Sequence, residues 1–326
     1  MRDLDIEEAK KLCDQLVEGI AGVFVGHRLL LRKLLAAGLA NGHVLFEDYP
    51  GLGKTLLVKV FARLIGCNYS RIQFTPDLLP ADIVGTKVWR QKDSSFELMK
   101  GPVFTNVLLA DEINRTPPKT QAALLESMEE RQVTIEGETH PLTMPFFVLA
   151  TQNPIEQEGT YPLPEAQLDR FLMKLSTGYA QSLEEESLIL ERRIQWKKDD
   201  PSVDVHPVVS AEQFCSLQKL AEEGIYVDKC LLDYISQLVR NTREHPKVEI
   251  GSSPRGGLAL LKLGRAMALI NSRDFVTPDD VKMFAMDALG HRIILRIEEA
   301  LEGLSPESVV QDVLEEVPVP KDFRPR

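Results

Sequence analysis

The stretch of this chain that is most informative about its fold is Asp48-Tyr49-Pro50-Gly51-Leu52-Gly53-Lys54-Thr55. They follow an apolar run at residues 43–46 and open an apolar-periodic segment at residues 56–62. A strand, a Gly-rich loop and a helix in this order predict a phosphate-binding loop. Gly51 and Gly53 allow successive backbone N–H groups to turn inward around an anion. The start of the helix adds unpaired N–H groups and the positive end of the helix dipole.

Two side chains at the end of this loop have the chemistry of a nucleoside triphosphate site. The Lys54 ammonium can reach the β- and γ-phosphates, and the Thr55 hydroxyl can ligate Mg²⁺. Asp48 stands where the consensus loop has Gly, and a carboxylate beside phosphates is expected to weaken nucleotide binding. A Gly-rich surface turn is the structural alternative. The expected nucleotide contacts are Pro50, Gly51, Leu52, Gly53, Lys54, Thr55 and Leu56.

The composition is that of an ordinary globular protein. The chain has 326 residues, enough for two domains, with 44% hydrophobic and 27% charged residues. A net charge of −11 disfavours general attraction to nucleic acids or to anionic membranes. Four scattered cysteines without a CxxC pair predict reduced thiols. With no leader peptide and no apolar run long enough to span a bilayer, we expect a cytoplasmic protein.

Strand and helix patterns alternate along the first half of the chain. Apolar runs at residues 107–110 and 146–150 are typical of strands buried on both faces of a parallel sheet. We therefore predict a three-layer αβα core of the α/β class at residues 1–178, with hairpins inserted at about residues 86–98 and 132–144.

The composition changes after Gly178. A capping box at Ser182 predicts a charged helix, and residues 179–209 form a helix and linker segment. Beyond it we find no strand pattern, and Ser210, Ser253 and Thr277 are good helix starts. We predict an all-α lid domain at residues 210–326 that ends in an extended, Pro-rich tail.

Polar side chains follow two of the predicted core strands. Asp111 and Glu112 end one strand, where Asp111 can bind Mg²⁺ and Glu112 can activate a water for attack on the γ-phosphorus. Asn153 ends the next strand and can orient that water. The alternatives are an acid pair that only ends a strand and an Asn-Pro turn.

Two arginines are candidates for stabilising charge in the transition state. Arg170 precedes the last strand and either pairs locally with Asp169 or Glu165 or acts on a neighbouring subunit's nucleotide. Arg255 lies in the first turn of a helix in the second domain, from which we expect its guanidinium to reach back to the phosphates.

Three blocks of sequence carry a family resemblance. They are the phosphate loop at residues 50–55, the run from Asp111 to Glu126 that contains Asp111-Glu112-Ile113-Asn114-Arg115, and the run from Ala150 to Phe171. The chain resembles the MoxR family of AAA+ ATPases over nearly its whole length. The long second and third blocks are far more specific than the phosphate loop alone.

The resemblance implies a set of roles. Lys54 and Thr55 match the Walker A lysine and hydroxyl, and Asp111 and Glu112 match the Walker B metal-binding and water-activating acids. The remaining matches are Asn153 to the first sensor, Arg170 to the arginine finger, Arg255 to the second sensor, and Val25 and Gly26 to the adenine contact, beside which His27 replaces the usual Gln.

The same resemblance implies an activity and partners. It implies ATP hydrolysis with Mg²⁺ in a ring, most simply a hexamer, that remodels or matures client proteins with a von Willebrand A-domain partner. One alternative is a switch that assembles on binding ATP and barely hydrolyses it. A nucleic-acid motor is a second alternative, which the net charge disfavours together with a first hairpin holding only Lys87, Arg90 and Lys92 as basic residues.

Overall fold

A computed structural model describes residues 4–92, 94–154 and 159–321. Residues 155–158 of the third resemblance block and the end of the predicted tail, residues 322–326, lie outside these ranges. The strands are β1 Val44–Glu47, β2 Tyr69–Gln73, β3 Gly85–Arg90, β4 Ser95–Lys100, β5 Val107–Asp111, β6 Gln132–Ile135, β7 Glu138–Pro141, β8 Phe147–Gln152, β9 Met173–Leu175, β10 Val248–Ile250 and β11 Ile294–Leu295. The helices are α1 Ile6–Val23, α2 Arg28–Leu39, α3 Lys54–Leu64, α4 Pro80–Val84, α5 Pro118–Glu130, α6 Glu165–Leu168, α7 Leu183–Trp196, α8 Ala211–Lys219, α9 Lys229–Glu244, α10 Pro254–Ile270, α11 Pro278–Leu289, α12 Ile297–Leu301 and α13 Pro306–Glu316.

A five-stranded parallel sheet forms the centre of the first half, in the order β2-β5-β8-β1-β9. Strand residues alternate between two apolar clusters, so that Val44 and Phe46 face one layer of helices while Leu45 faces the other. The αβα class predicted from the apolar runs is confirmed. Because the strands are parallel, all their carboxyl ends lie at one edge of the sheet.

Two antiparallel hairpins project from this core. The first, β3–β4, lies where it was predicted and exposes Trp89 and Phe96, whose rings pack edge to face. The second hairpin is tighter than predicted, because its turn is only Glu136-Gly137 and β7 begins at Glu138. Both turn residues have positive φ, 49° and 83°, as a two-residue hairpin turn requires.

The second half is largely helical, and its predicted helix starts are confirmed. Ser210 and Thr277 form capping boxes, and the Ser253 hydroxyl caps α10. Ser182 caps α7, but the Glu185 carboxylate completes the turn through the N–H of Gln181 rather than that of Ser182.

The expectation that this region contains no strand was wrong at one point. Strands β10 and β11 pair in a two-stranded antiparallel ribbon. They have three and two residues, which is too short for an alternating pattern to be visible in the sequence.

The helical half packs on the β9 side of the core. Helix α10 contacts α1 and α2, and α11 contacts β9. One buried apolar cluster runs from Phe46 of the sheet through Phe61 and Phe214 to Leu260 of α10. This continuous core fixes the position of α10 and α11 relative to the sheet. None of the helices in the described ranges is both long and apolar enough to cross a membrane.

Candidate nucleotide-binding site

The phosphate loop joins the carboxyl end of β1 to the start of α3. Gly51 and Gly53 have φ values of 86° and 76°, in the left-handed region that glycine adopts without strain. A Cβ on Gly53 would also lie 3.2 Å from the Phe24 ring. Helix α3 begins at Lys54, so its first N–H groups point into the loop.

The Lys54 ammonium lies inside the loop. It donates to the carbonyl oxygen of Tyr49 at 2.8 Å and lies 3.4 Å from that of Asp48. Burial lowers the pKa of Lys54, against the opposing charges of Asp48, Asp111 and Glu112. Backbone carbonyls hold this cation, and no residue in the described ranges forms a direct ion pair with it, so an incoming phosphate can take their place.

The structure shows which groups the Asp48 carboxylate binds. Its carboxylate is buried and accepts hydrogen bonds from the Ser176 hydroxyl at 2.5 Å, the Thr177 N–H at 2.7 Å and the Thr177 hydroxyl at 2.9 Å. A longer contact of 3.4 Å comes from the N–H of Gly178. Both carboxylate oxygens therefore bind the segment after β9 rather than facing the phosphate position. The Asp48 side chain therefore links the end of β1 to residues 176–178.

The acid pair lies at the carboxyl end of β5. One Asp111 oxygen accepts from the Thr151 hydroxyl at 2.7 Å, and the other accepts from the Arg71 guanidinium at 2.6 Å. Glu112 has a left-handed backbone, with φ of 59°, which is uncommon for a residue with a side chain. Its carboxylate accepts from the Gln73 amide at 2.7 Å.

These residues meet in one cavity of about 510 Å³ at the carboxyl edge of the sheet. Sequence-predicted residues in its lining are Pro50, Gly51, Leu52, Gly53, Lys54, Thr55, Leu56, Asp111, Glu112 and Asn153. The loop, the acid pair and the strand-end asparagine come from three neighbouring strands, β1, β5 and β8. Such an edge is where ligands bind in open α/β sheets.

The donors in this cavity fit a Mg²⁺ ion. Thr55 offers a hydroxyl and Asp111 a carboxylate, which are the oxygen ligands that Mg²⁺ takes beside phosphates and water. Over the described ranges no cluster of three or more His, Cys, Asp or Glu side chains is placed to hold a metal. A magnesium nucleotide site needs no such cluster, because phosphates and water supply most of the ligands.

A second cavity, of about 440 Å³, lies on the other side of the phosphate loop. The two cavities share the loop residues Pro50 to Gly53, so a groove runs across the loop from one to the other. Val25, Gly26 and His27, at the predicted adenine contact, line the second cavity. Helix α7 forms the facing wall, where Arg192 and Trp196 contribute to the lining.

Several residues of this groove were not found from the sequence. Arg71 and Gln73 reach the acid pair from β2, and Asp199 and Asp200 enter from the linker, where Asp200 pairs with Lys59 at 2.6 Å. The period-2 alternation of β2 places Arg71 and Gln73 on the same face, but only the pairing of β2 with β5 shows their target. No pattern in the local sequence predicts that the linker lies beside the phosphate loop.

Arg170 and Arg255 lie away from this groove, at the amino edge of the sheet. Arg170 lies three residues before the first residue of β9, which runs parallel to β1, whereas the phosphate loop follows β1. A four-residue strand such as β1 spans about 13 Å. Arg170 pairs with Glu129 at 3.1 Å rather than with Asp169 or Glu165, the local partners considered from the sequence.

From the sequence we expect the Arg255 guanidinium to reach the phosphates, but it does not approach the phosphate loop of its own chain. Its guanidinium pairs with Glu129, beside Arg170. The reason is the packing of α10 against α1 and α2, which places the first turn of α10 next to residues 169–172. Arg255 lines a third cavity, of about 380 Å³, with Arg131, Arg170, Lys262 and Arg292.

Comparisons with known proteins agree with this geometry. Residues 43–173 match the ATPase family associated with various cellular activities (AAA), and residues 240–313 match the AAA lid domain. Chaperone MoxR1 of Mycobacterium tuberculosis is 43% identical over 92% of this chain and 80% of its own length. The uncharacterized protein YeaC of Bacillus subtilis is 48% identical over 96% of this chain and 97% of its own.

A solved structure shows the same fold. The crystal structure of a "putative ATPase" from Cytophaga hutchinsonii is 41% identical, with a TM-score of 0.89 over 97% of both chains. The overall fold of this chain is therefore shared with that structure. The chain belongs to the MoxR family of AAA+ ATPases.

Proposed function

We propose that this protein binds ATP with Mg²⁺ in the groove across the phosphate loop and hydrolyses it. The observation that carries the proposal is the convergence of Lys54, Thr55, Asp111, Glu112 and Asn153 on one cavity. Each of these side chains is of the type that phosphoryl transfer needs at that place. The adenine would lie in the second cavity, against Val25 and Gly26.

Each residue of the proposed site has a role that follows from its position. Lys54 and the N–H groups at the start of α3 bind the phosphates. Thr55 and Asp111 would hold Mg²⁺, which offsets phosphate charge when bound. Glu112 accepts a proton from the attacking water, and Asn153 orients that water. Gln73 and Arg115 both contact Oε2 of Glu112, so the water would approach this carboxylate beside those two contacts.

The site is completed by a second copy of the chain. Arg170 cannot approach its own phosphates from the opposite edge of the sheet, but it is 30% exposed at the surface that a neighbour would meet. The two edges differ in net charge: five carboxylates and three basic side chains line the cavity at the carboxyl edge, and five basic side chains and two carboxylates line the cavity at the amino edge. Head-to-tail contacts of this kind close into a ring, most simply a hexamer.

In such a ring Arg255 would act beside Arg170 on the neighbour's nucleotide. Both side chains bind the same Glu129 carboxylate and line the same cavity. We propose that the ring uses ATP hydrolysis to remodel or mature client proteins, as the name of the relative Chaperone MoxR1 suggests. A von Willebrand A-domain protein is the partner we propose for it.

One observation favours a second candidate, a switch that assembles on ATP with weak hydrolysis. In the isolated chain the carboxylates of both acids are already engaged, Asp111 by Arg71 and Glu112 by Gln73 and Arg115. If these contacts persist in the assembled ring, ATP would bind without efficient hydrolysis.

ATP turnover of the wild type and of Glu112→Gln separates the two candidates. We expect measurable phosphate release from the wild type and a loss of about 10²-fold or more in Glu112→Gln, because that variant lacks the proton acceptor. Nucleotide binding should survive in Glu112→Gln and be lost in Lys54→Ala. Equal, near-zero turnover in wild type and Glu112→Gln, with ATP bound by both, would leave the switch as the function.

A further inference from the structure

Arg292 is a buried arginine of the helical half. It lies in the one-turn segment Gly290–Arg292 that follows α11, and its side chain is only 3% exposed. Burying a guanidinium is costly unless its N–H groups are paired. Its partners therefore show what this residue stabilises.

Most of those partners belong to one short segment, residues 169–172, which carries Arg170. The Nε of Arg292 donates to the Asp169 carboxylate at 2.8 Å. Its Nη2 donates to the carbonyl oxygens of Phe171 at 2.6 Å and Asp169 at 3.2 Å. Its Nη1 donates to the carbonyl oxygens of Leu172 at 3.3 Å and of Ala288 in α11. One guanidinium thus holds the backbone on both sides of Arg170.

Two further residues of the helical half bind the same segment. The Ser253 hydroxyl, which caps α10, donates to the Asp169 carboxylate at 2.8 Å. His291 brings Nε2 to 3.3 Å from the carbonyl oxygen of Phe171. Residues 169–172 are therefore fixed by the start of α10 and the end of α11, while they lie at the amino end of β9.

We propose that Arg292 is a positioning residue for the arginine finger: it fixes the backbone of residues 169–172 and so aims Arg170 at the neighbouring subunit's phosphates. This inference rests on the proposed shared ATP site. In this arrangement a movement of the helical half would be transmitted to Arg170 through α10 and α11. The Arg170 side chain is 30% exposed and pairs with Glu129, while its backbone is held.

The shape of the guanidinium is what this role requires. Three nitrogens in one plane contact acceptors on Asp169, Phe171 and Leu172 at the same time. A lysine would keep the positive charge but not the planar fork. Arg292→Lys should therefore leave the charge of the region intact and loosen the segment that carries Arg170.

The first measurement compares turnover with nucleotide affinity. For Arg292→Lys we expect ATP turnover to fall roughly tenfold or more while the Kd for ATP changes less than about twofold, because the groove lies at the opposite edge of the sheet. Asp169→Asn, which removes the charged acceptor without changing its shape, should act in the same direction. Arg273→Lys is the matched control, since Arg273 binds Asp280 within the helical half, and it should turn over ATP like the wild type.

The second measurement mixes subunits. Arg292→Lys subunits keep an intact pocket, and Lys54→Ala subunits keep an intact Arg170 segment, so mixed rings should recover activity that neither variant has alone. Arg170→Ala mixed with Lys54→Ala is the reference. A structural defect of Arg292→Lys would lower affinity and turnover together and give no recovery.

Three results would overturn the inference. The first is wild-type turnover in both Arg292→Lys and Asp169→Asn. The second is failure of the Arg292→Lys mixture, and of an Asp169→Asn mixture, where the Arg170→Ala mixture recovers. The third, failure of the Arg170→Ala mixture with assembly intact, overturns the shared site itself and the inference with it.

Discussion

Asp48 shows how a carboxylate at the consensus glycine position is accommodated beside a phosphate loop. At the position of the consensus glycine, its carboxylate turns away from the phosphates and binds Ser176, Thr177 and Gly178. The chain path after β9 runs beside the loop, so the side chain finds donors there. A loop motif specifies the backbone around the anion, and a side chain that leaves this backbone free is compatible with it.

The variant Asp48→Asn tests the role of the Asp48 carboxylate in stability and in ATP binding. The amide keeps one acceptor but turns its NH₂ toward N–H and O–H donors, which should lower the free energy of unfolding by about 1–3 kcal/mol. ATP affinity should not increase, because the carboxylate does not face the phosphates. Urea unfolding and titration with a fluorescent ATP analogue measure the two quantities. Asp14→Asn, an exposed residue on α1, is the control, and tighter ATP binding by Asp48→Asn alone would show that the carboxylate repels phosphate.

Helix α7 lies beside the second cavity, and none of its residues is buried. Its side chains Ile189, Arg192 and Trp196 form one wall of that cavity. Nη1 of Arg192 is enclosed and has no hydrogen-bond partner in the described ranges. Burial also lowers the pKa of Arg192. A nucleotide in this cavity would offer acceptors to that N–H group.

Arg192→Ala should therefore weaken ATP binding while leaving stability almost unchanged. We expect the Kd to rise roughly five- to twentyfold, the loss of a charge-assisted hydrogen bond. Arg240→Ala removes an equally charged, exposed arginine of α9 and should bind ATP like the wild type. Calorimetric titration gives the Kd, and thermal unfolding checks the stability. An unchanged Kd would place the nucleotide away from α7.

The elements that the sequence predicts well are those with local signals. The parallel core strands are continuous apolar runs, and the helix starts at Ser210, Ser253 and Thr277 carry their own caps. Contacts between distant segments were not predictable. Arg71 finds Asp111 only because β2 is the edge strand beside β5, and Arg255 meets Glu129 only because of how α10 packs. No pattern in a single sequence specifies such pairings.

In the proposed shared site, the two edges of the sheet supply complementary groups. The carboxyl edge holds the phosphate loop and the acids, and the amino edge holds Arg170 with Arg255 and Arg292. A single copy cannot bring these edges together across a rigid parallel sheet. The proposed ring would join them at every interface, so we expect hydrolysis to depend on assembly.

Mixing Arg170→Ala with Lys54→Ala subunits measures whether hydrolysis combines Arg170 of one copy with the pocket of another. Each variant alone should be inactive, because one lacks the finger and the other the pocket. In random equal mixtures roughly a quarter of the interfaces would pair an intact pocket with an intact Arg170, so turnover should recover to about a quarter of the wild-type rate. Assembly of the mixture is checked by light scattering. If the mixed rings form and no turnover returns, Arg170 does not act on the neighbouring subunit's ATP and the shared site is wrong.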